Sequence, residues 1–150
     1  MSDLRELYQE IIIDHGRHPR NFGAMENATA SQEGFNPLCG DKIFLHILEK
    51  NGVVVEIRFE GSGCAISMAS ASLLTEFLKG KTRAEVETIF QAFHALVTQG
   101  ETHAEQQLGK LAVFRGVCEF PARVKCATLV WHTLRAALAG DSHPVSSEQD

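Results

Sequence analysis

The chain has 150 residues, 44% of them hydrophobic and 22% charged, and 14 basic against 19 acidic side chains leave a net charge of −5. That length supports one domain whose core needs no disulfide staples. The acidic balance argues against a protein that mainly coats nucleic acid or anionic lipid, and the small basic cluster Arg17-His18-Pro19-Arg20 does not reverse it.

Leu4, Leu7, Tyr8, Ile11 and Ile12 recur at helical spacing, which predicts an amphipathic helix over 3–15 with Ser2 or Asp3 as its cap. Pro19, Asn21 and Gly23 end it in a loop. Asn27 to Glu33 is ambiguous and fits a short edge strand. From Asp41 to Lys50, Ile43, Leu45 and Ile47 fall on one face of a strand and Phe44, His46 and Leu48 on the other. Asn51-Gly52 is a hairpin turn, and Val53 to Phe59 is the return strand. Gly61-Ser62-Gly63 is expected to break that strand. A helix rich in Ala and Ser follows over Ala65–Leu78, stopped at Gly80. Thr82 and Glu85 form a capping box that opens a further helix to about Gln99. A polar connection over 100–107 and a short helix from Leu108 to Phe114 come next. Pro121 suits the first turn of a last helix that runs to Ala139. The expected fold is α+β: a small antiparallel sheet, made of the hairpin 41–59 plus an edge strand, covered by helices. One domain over 1–140 and a flexible tail over 141–150 are expected.

The start of the chain lacks the apolar stretch of a signal peptide, and its aliphatic runs are far short of a membrane span, which predicts a cytoplasmic protein. Its four cysteines then read first as thiols. Cys39 precedes the hairpin, Cys64 follows Gly61-Ser62-Gly63 at a helix start, and Cys126 lies near the start of the last helix. Cys64 would sit at the positive end of a helix dipole, and Arg123 and Lys125 would favour a thiolate at Cys126. Asp41 lies on the same side as Cys39 if that segment is extended. Three sulfurs and one oxygen would make a tetrahedral zinc site. The competing reading is that these are buried thiols filling core space. Cys118 has no such surroundings and reads as a small buried or half-buried residue.

The remaining polar residues favour packing over chemistry. His15 and His18 could meet a ligand at the helix end, but surface or packing roles are commoner. His46 belongs to the less buried sheet face, His132 to packing, and His94 and His103 to solvated positions. Ser67, Ser70 and Ser72 lack a nucleophile elbow and read as small residues on a packed helix. Leu73, Leu74, Phe77 and Leu78, with Val86, Ile89, Phe90 and Phe93, read as core.

Asn36-Pro37-Leu38-Cys39-Gly40-Asp41, then Gly61-Ser62-Gly63-Cys64-Ala65-Ile66-Ser67, then Phe120-Pro121-Ala122-Arg123-Val124-Lys125-Cys126-Ala127 resemble the three motifs of the U-type proteins of iron–sulfur cluster assembly. Leu7 to His15 and Pro19 to Gly23 fit as well, so the resemblance spans nearly the whole chain except the tail. Scaffold members, IscU-like, carry a histidine directly before the third cysteine and a shorter middle segment. Lys125 at that place, and the interval containing 100–117, resemble the SufU branch instead. The resemblance implies an IscU/SufU-like fold and zinc held by Cys39, Asp41, Cys64 and Cys126. It further implies that Cys39 receives persulfide sulfur from a SufS-type, pyridoxal-phosphate-dependent cysteine desulfurase by exchange of a zinc ligand. Arg123 is implied to lie beside the site, and a SufBCD-type assembly complex to be a further partner. Two alternatives remain: a scaffold for a transient [2Fe–2S] cluster, with Asp41 as its weak corner, and a non-catalytic interaction domain stapled by zinc.

Overall fold

The computed structural model describes residues 2–100, 105–141 and 143–147, and the side chains of 6–100, 107–141 and 143–147. In chain order the elements are α1 (Ser2–Arg17), β1 (Ala30–Asn36), β2 (Asp41–Lys50), β3 (Val53–Ser62), α2 (Ala65–Leu78), α3 (Arg83–Gln99), α4 (Glu105–Leu108), a 3₁₀ run (Gly109–Glu119), α5 (Pro121–Ala139) and β4 (Val145–Ser146). This is the expected α+β architecture. The side chains of Ser2, Asp3 and Leu4, His103, and most of the connection over 100–107 lie outside the described residues.

Both turn residues between β2 and β3 have positive φ, 56° at Asn51 and 76° at Gly52, as a tight hairpin requires. Ile43, Leu45 and Ile47 face the helices and are fully buried. Leu48, expected on the open face beside Phe44 and His46, is also buried, next to a register shift at Leu48/Glu49. His46 does lie on the open face, bridging Ser31 Oγ at 2.9 Å and Glu60 Oε2 at 2.7 Å.

Three expectations about the sheet are corrected. Gly61 and Ser62 do not break β3 but extend it, pairing with Ile43 and Lys42. A Cβ on Gly61 would lie 2.0 Å from the Lys42 carbonyl oxygen, so only glycine permits this pairing at φ +134°. The ambiguous segment 27–33 is strand β1 over Ala30–Asn36, and it is not an edge, because the strand order is β3-β2-β1-β4. Its helix-facing residues are Gln32, Gly34 and Asn36, so the apolar alternation that marks a strand is missing. The sheet is mixed rather than antiparallel, because Val145–Ser146 pair in parallel with Gly34–Phe35. Within the segment expected as a flexible tail, residues 145–147 lie against β1. Ser147 N–H donates to the Phe35 carbonyl at 3.1 Å, and Gln32 Nε2 donates to the His143 carbonyl.

α2 and α5 pack closely through small residues. Ser70 Oγ donates to the Ala127 carbonyl at 2.6 Å and accepts from Trp131 Nε1 at 3.2 Å. Trp131 stacks on Phe93 with ring centroids 4.5 Å apart. The short helix expected over 108–114 is a 3₁₀ run reaching Glu119, which adds Phe114 edge-on to Phe93. Leu73, Leu74, Leu78, Val86, Ile89, Phe90 and Phe93 are core, with Phe77 packed at its margin. His94, expected in solvent, is half-buried and lies parallel to the Phe90 ring; His132 also packs against Phe90.

His15 locks α1 onto α2. It is 3% exposed, and its Nδ1 lies 2.7 Å from Ser72 Oγ, which also accepts the Arg20 N–H at 2.9 Å. His18 is exposed. Burial first, then the Arg20 charge, hold His15 below the usual histidine value of 6.5, with Glu76 opposing. The unfolded chain therefore binds more protons than the fold just below that value. The contribution is complete above 6.5 and is lost as pH falls through the lowered folded value. Melting temperature should accordingly drop between pH 7.5 and 5.5, and His15→Gln should flatten that slope; an unchanged slope would refute the assignment.

Candidate metal centre

Three chain segments meet at one end of the sheet. Asn36 and Asp41 are register partners across the turn between β1 and β2, and Gly40 N–H donates back to the Asn36 carbonyl at 2.8 Å. Gly40 has φ +74°, and Cys39 stands exposed beside it in this turn. Asp41, 1% exposed, is the first residue of β2. Cys64 caps α2 with extended backbone, φ −71° and ψ 168°. Cys126, 2% exposed, lies in the second turn of α5.

The Cys126 thiol donates to Cys39 Sγ at 3.4 Å. One donor atom each of Cys39, Asp41 and Cys126 lies within 4.8 Å of the other two, the one such group among the described residues. Cys64 stands at the edge of this group. Its Sγ accepts the Ser67 N–H at 3.4 Å, and its own N–H donates to Asp41 Oδ1 at 2.8 Å. Burial above all, then hydrogen bonds with Cys39 and Asp41 and the nearby Cys64 charge, push the Cys126 thiol far above its ordinary range.

Asn36 is the residue that the sequence reading left without a role. Its side-chain amide donates to Asp41 Oδ2 at 3.4 Å and to Cys126 Sγ at 3.5 Å. Its side-chain Oδ1 accepts from Leu38 N–H at 3.2 Å and from Ser147 Oγ at 3.0 Å. The C-terminal segment thus braces the centre through Asn36. Asn-Pro marks a turn in any sequence, but nothing in the spacing indicates that the amide turns inward.

Gly63 makes room for the carboxylate. A Cβ there would fall 2.5 Å from Asp41 Oδ1. Gly63→Ala is expected to force Asp41 off the part-buried Cys64 N–H and to weaken zinc binding roughly tenfold, since that N–H then loses its partner; chelator competition measures it. Arg123 is exposed in the first turn of α5, three residues before Cys126. Its side chain has no hydrogen bond or ion pair with the described residues. Cys118 is half-buried beside Gly100 at the end of α3, outside the group.

Two polarisable sulfurs and a carboxylate, with a third sulfur adjoining, form a donor set suited to a tetrahedral thiolate-binding ion such as zinc. A small α+β domain with this set at the end of its sheet defines the class. Residues 7–127 match the family of NifU-like N-terminal domains, and the chain belongs to it. It is 38% identical over 138 residues to the zinc-dependent sulfurtransferase SufU of Bacillus subtilis, covering 92% of this chain and 93% of that one. It is 37% identical over 141 residues to the iron–sulfur cluster assembly scaffold protein IscU of Thermotoga maritima, covering 94% and 99%. A solved structure from Fervidobacterium islandicum, described as a cluster assembly scaffold for the SUF system, superposes with a TM-score of 0.82 at 37% identity, covering 89% and 97%. No helix among the described residues is long and apolar enough to cross a membrane.

Proposed function

We propose that this protein serves iron–sulfur cluster biogenesis as a zinc-dependent acceptor of sulfur from a SufS-type cysteine desulfurase. Cys39, Asp41, Cys64 and Cys126 hold the zinc. When bound, zinc keeps the thiolates deprotonated at neutral pH and, lacking redox chemistry and strong geometric preference, permits a ligand to leave at modest cost.

The observation that carries this reading is the unequal exposure of two touching thiols. Cys126 is buried at 2% and Cys39 is exposed in a turn, 3.4 Å away. Cys126 and Asp41 are anchored, and Cys39 is the sulfur that a partner can reach. The Cys39 thiolate attacks the terminal sulfur of the partner's cysteine persulfide. One S–S bond forms and one breaks, the partner's cysteine leaves as a thiolate, and Cys39 retains the transferred sulfur. No oxidant is consumed. Arg123, exposed one turn before Cys126, offers a positive charge to the docked partner and to the departing thiolate. A SufBCD-type assembly complex is the proposed onward recipient.

The test is alanine release by a SufS-type desulfurase given cysteine without added reductant. Strong stimulation by the zinc-loaded protein, lost on zinc removal, is the expected result. Absence of stimulation by a folded, zinc-loaded sample would sink the reading. The second reading, a scaffold for a [2Fe–2S] cluster, draws support from the similarity to the Thermotoga maritima scaffold. Anaerobic reconstitution separates the two, because the cluster absorbs visible light and zinc does not.

A further inference from the structure

Asn36 is 1% exposed and stands between the C-terminal segment and the metal centre. A side-chain amide has two N–H donors and, on its oxygen, two acceptor sites. All four are in use. Oδ1 accepts from the Leu38 N–H and from Ser147 Oγ, while Nδ2 donates to Asp41 Oδ2 at 3.4 Å and to Cys126 Sγ at 3.5 Å. The two ends of the amide cannot be exchanged. The Leu38 backbone N–H can only donate, so the oxygen must face it and the NH₂ end must face the centre. Ser147, 3% exposed, places a second donor on the oxygen side.

Two members of the donor group therefore share one neutral amide. Asp41 and Cys126 are 1% and 2% exposed, so each is shielded from water. A carboxylate and a thiolate held close together in such a place repel one another, and burying either is costly unless a donor faces it. Cys39, the third member, stands outside this arrangement. It is exposed, and the Asn36 amide has no hydrogen-bonding capacity left for it. We propose that Asn36 is a positioning residue whose two N–H groups hold Asp41 and Cys126 side by side as the ligands that stay on the metal while Cys39 exchanges. The inference rests on the metal-centre reading given above. It assigns the inward N–H groups a task separate from the outward bonds, which tie the β1–β2 turn to the C-terminal segment.

The test titrates zinc and cobalt(II) into wild type, Asn36→Leu and Ser147→Ala, and follows melting of each metal-free form. Leucine keeps the size of the side chain and removes both N–H groups. The zinc dissociation constant of Asn36→Leu, by chelator competition, should rise about tenfold, within the range for losing the partner of a metal ligand. Its thiolate-to-cobalt charge-transfer band should move to longer wavelength, because the Cys126 sulfur loses the donor that stabilises its lone pairs. Ser147→Ala removes an outward bond only, and the Leu38 N–H still orients the amide. That variant should melt below wild type while its charge-transfer band and zinc affinity stay in place. Wild-type affinity with an unmoved band in Asn36→Leu would overturn the proposal. So would equal loss of affinity in both variants with neither band displaced, which would leave Asn36 a brace for the turn. Should Asn36→Leu not fold, Asn36→Ala adds no bulk and is read by the same band. If wild type itself binds neither metal, the metal-centre reading falls too. If wild type binds both and Asn36→Leu matches it, only this inference falls.

Discussion

Replacing Cys39 by alanine is expected to abolish covalent sulfur uptake from a persulfide-bearing desulfurase while leaving the fold intact. The structural cost should be small, because Cys39 is exposed in a turn and its side chain fills no core space. Surface substitutions of this kind shift stability by about 0.5 kcal/mol or less. The chemical cost should be near total. Cys64 is half-buried with its sulfur engaged at the α2 cap, and Cys126 is buried behind Asn36 and Asp41. Neither offers an equivalent exposed nucleophile. Radioactive sulfur from labelled cysteine, followed after denaturation without reductant, reads the result directly. Labelling of Cys39→Ala at the wild-type rate would refute the assignment of Cys39 as acceptor.

Trp131→Ala should produce the largest loss of stability, about 3–5 kcal/mol, the range for truncating a buried large aromatic. Trp131 is 1% exposed, stacks on Phe93 at 4.5 Å and meets Phe90 edge-on at 6.4 Å. It also donates to Ser70 Oγ, which ties α5 to α2. Ser70 keeps its bond to the Ala127 carbonyl after the substitution, so the loss is mainly packing. Cys126 rides on the same helix as Trp131 and Cys64 caps the helix that Trp131 grips. Zinc affinity should therefore fall together with the midpoint of urea unfolding. A variant that unfolds within 1 kcal/mol of wild type would show that the α3–α5 seam is not the main support.

Much of this molecule is readable from local chemistry. The Asn51-Gly52 turn, the Thr82/Glu85 box and the Ile43-Leu45-Ile47 face follow from backbone preference and hydrophobic period, which act between neighbours in the chain. The Ser67, Ser70 and Ser72 run reads correctly as a packed helix face, because small residues at helical spacing permit close approach. The three motifs likewise mark Cys39, Cys64 and Cys126 as worth attention before any coordinates are known.

Other features depend on residues distant in sequence. β1 presents Gln32, Gly34 and Asn36 to the helices, and a Cβ on Gly34 would lie 2.0 Å from Thr133 Oγ1, so close helix approach there replaces apolar packing. β4 is too short to carry a pattern and exists only because β1 offers it a partner. Strand β3 continues through Gly61 because of a neighbour across the sheet, not because of its own propensity. The centre itself joins Cys39 to Cys126 across 87 positions, and Asn36 to Ser147 across 111. Periodicity and turn chemistry can nominate these residues one at a time. Their distances, their unequal burial and the inward turn of the Asn36 amide arise only when α2, α5 and the β1–β2 turn pack against one another, since burial and hydrogen-bond competition are properties of the assembled core.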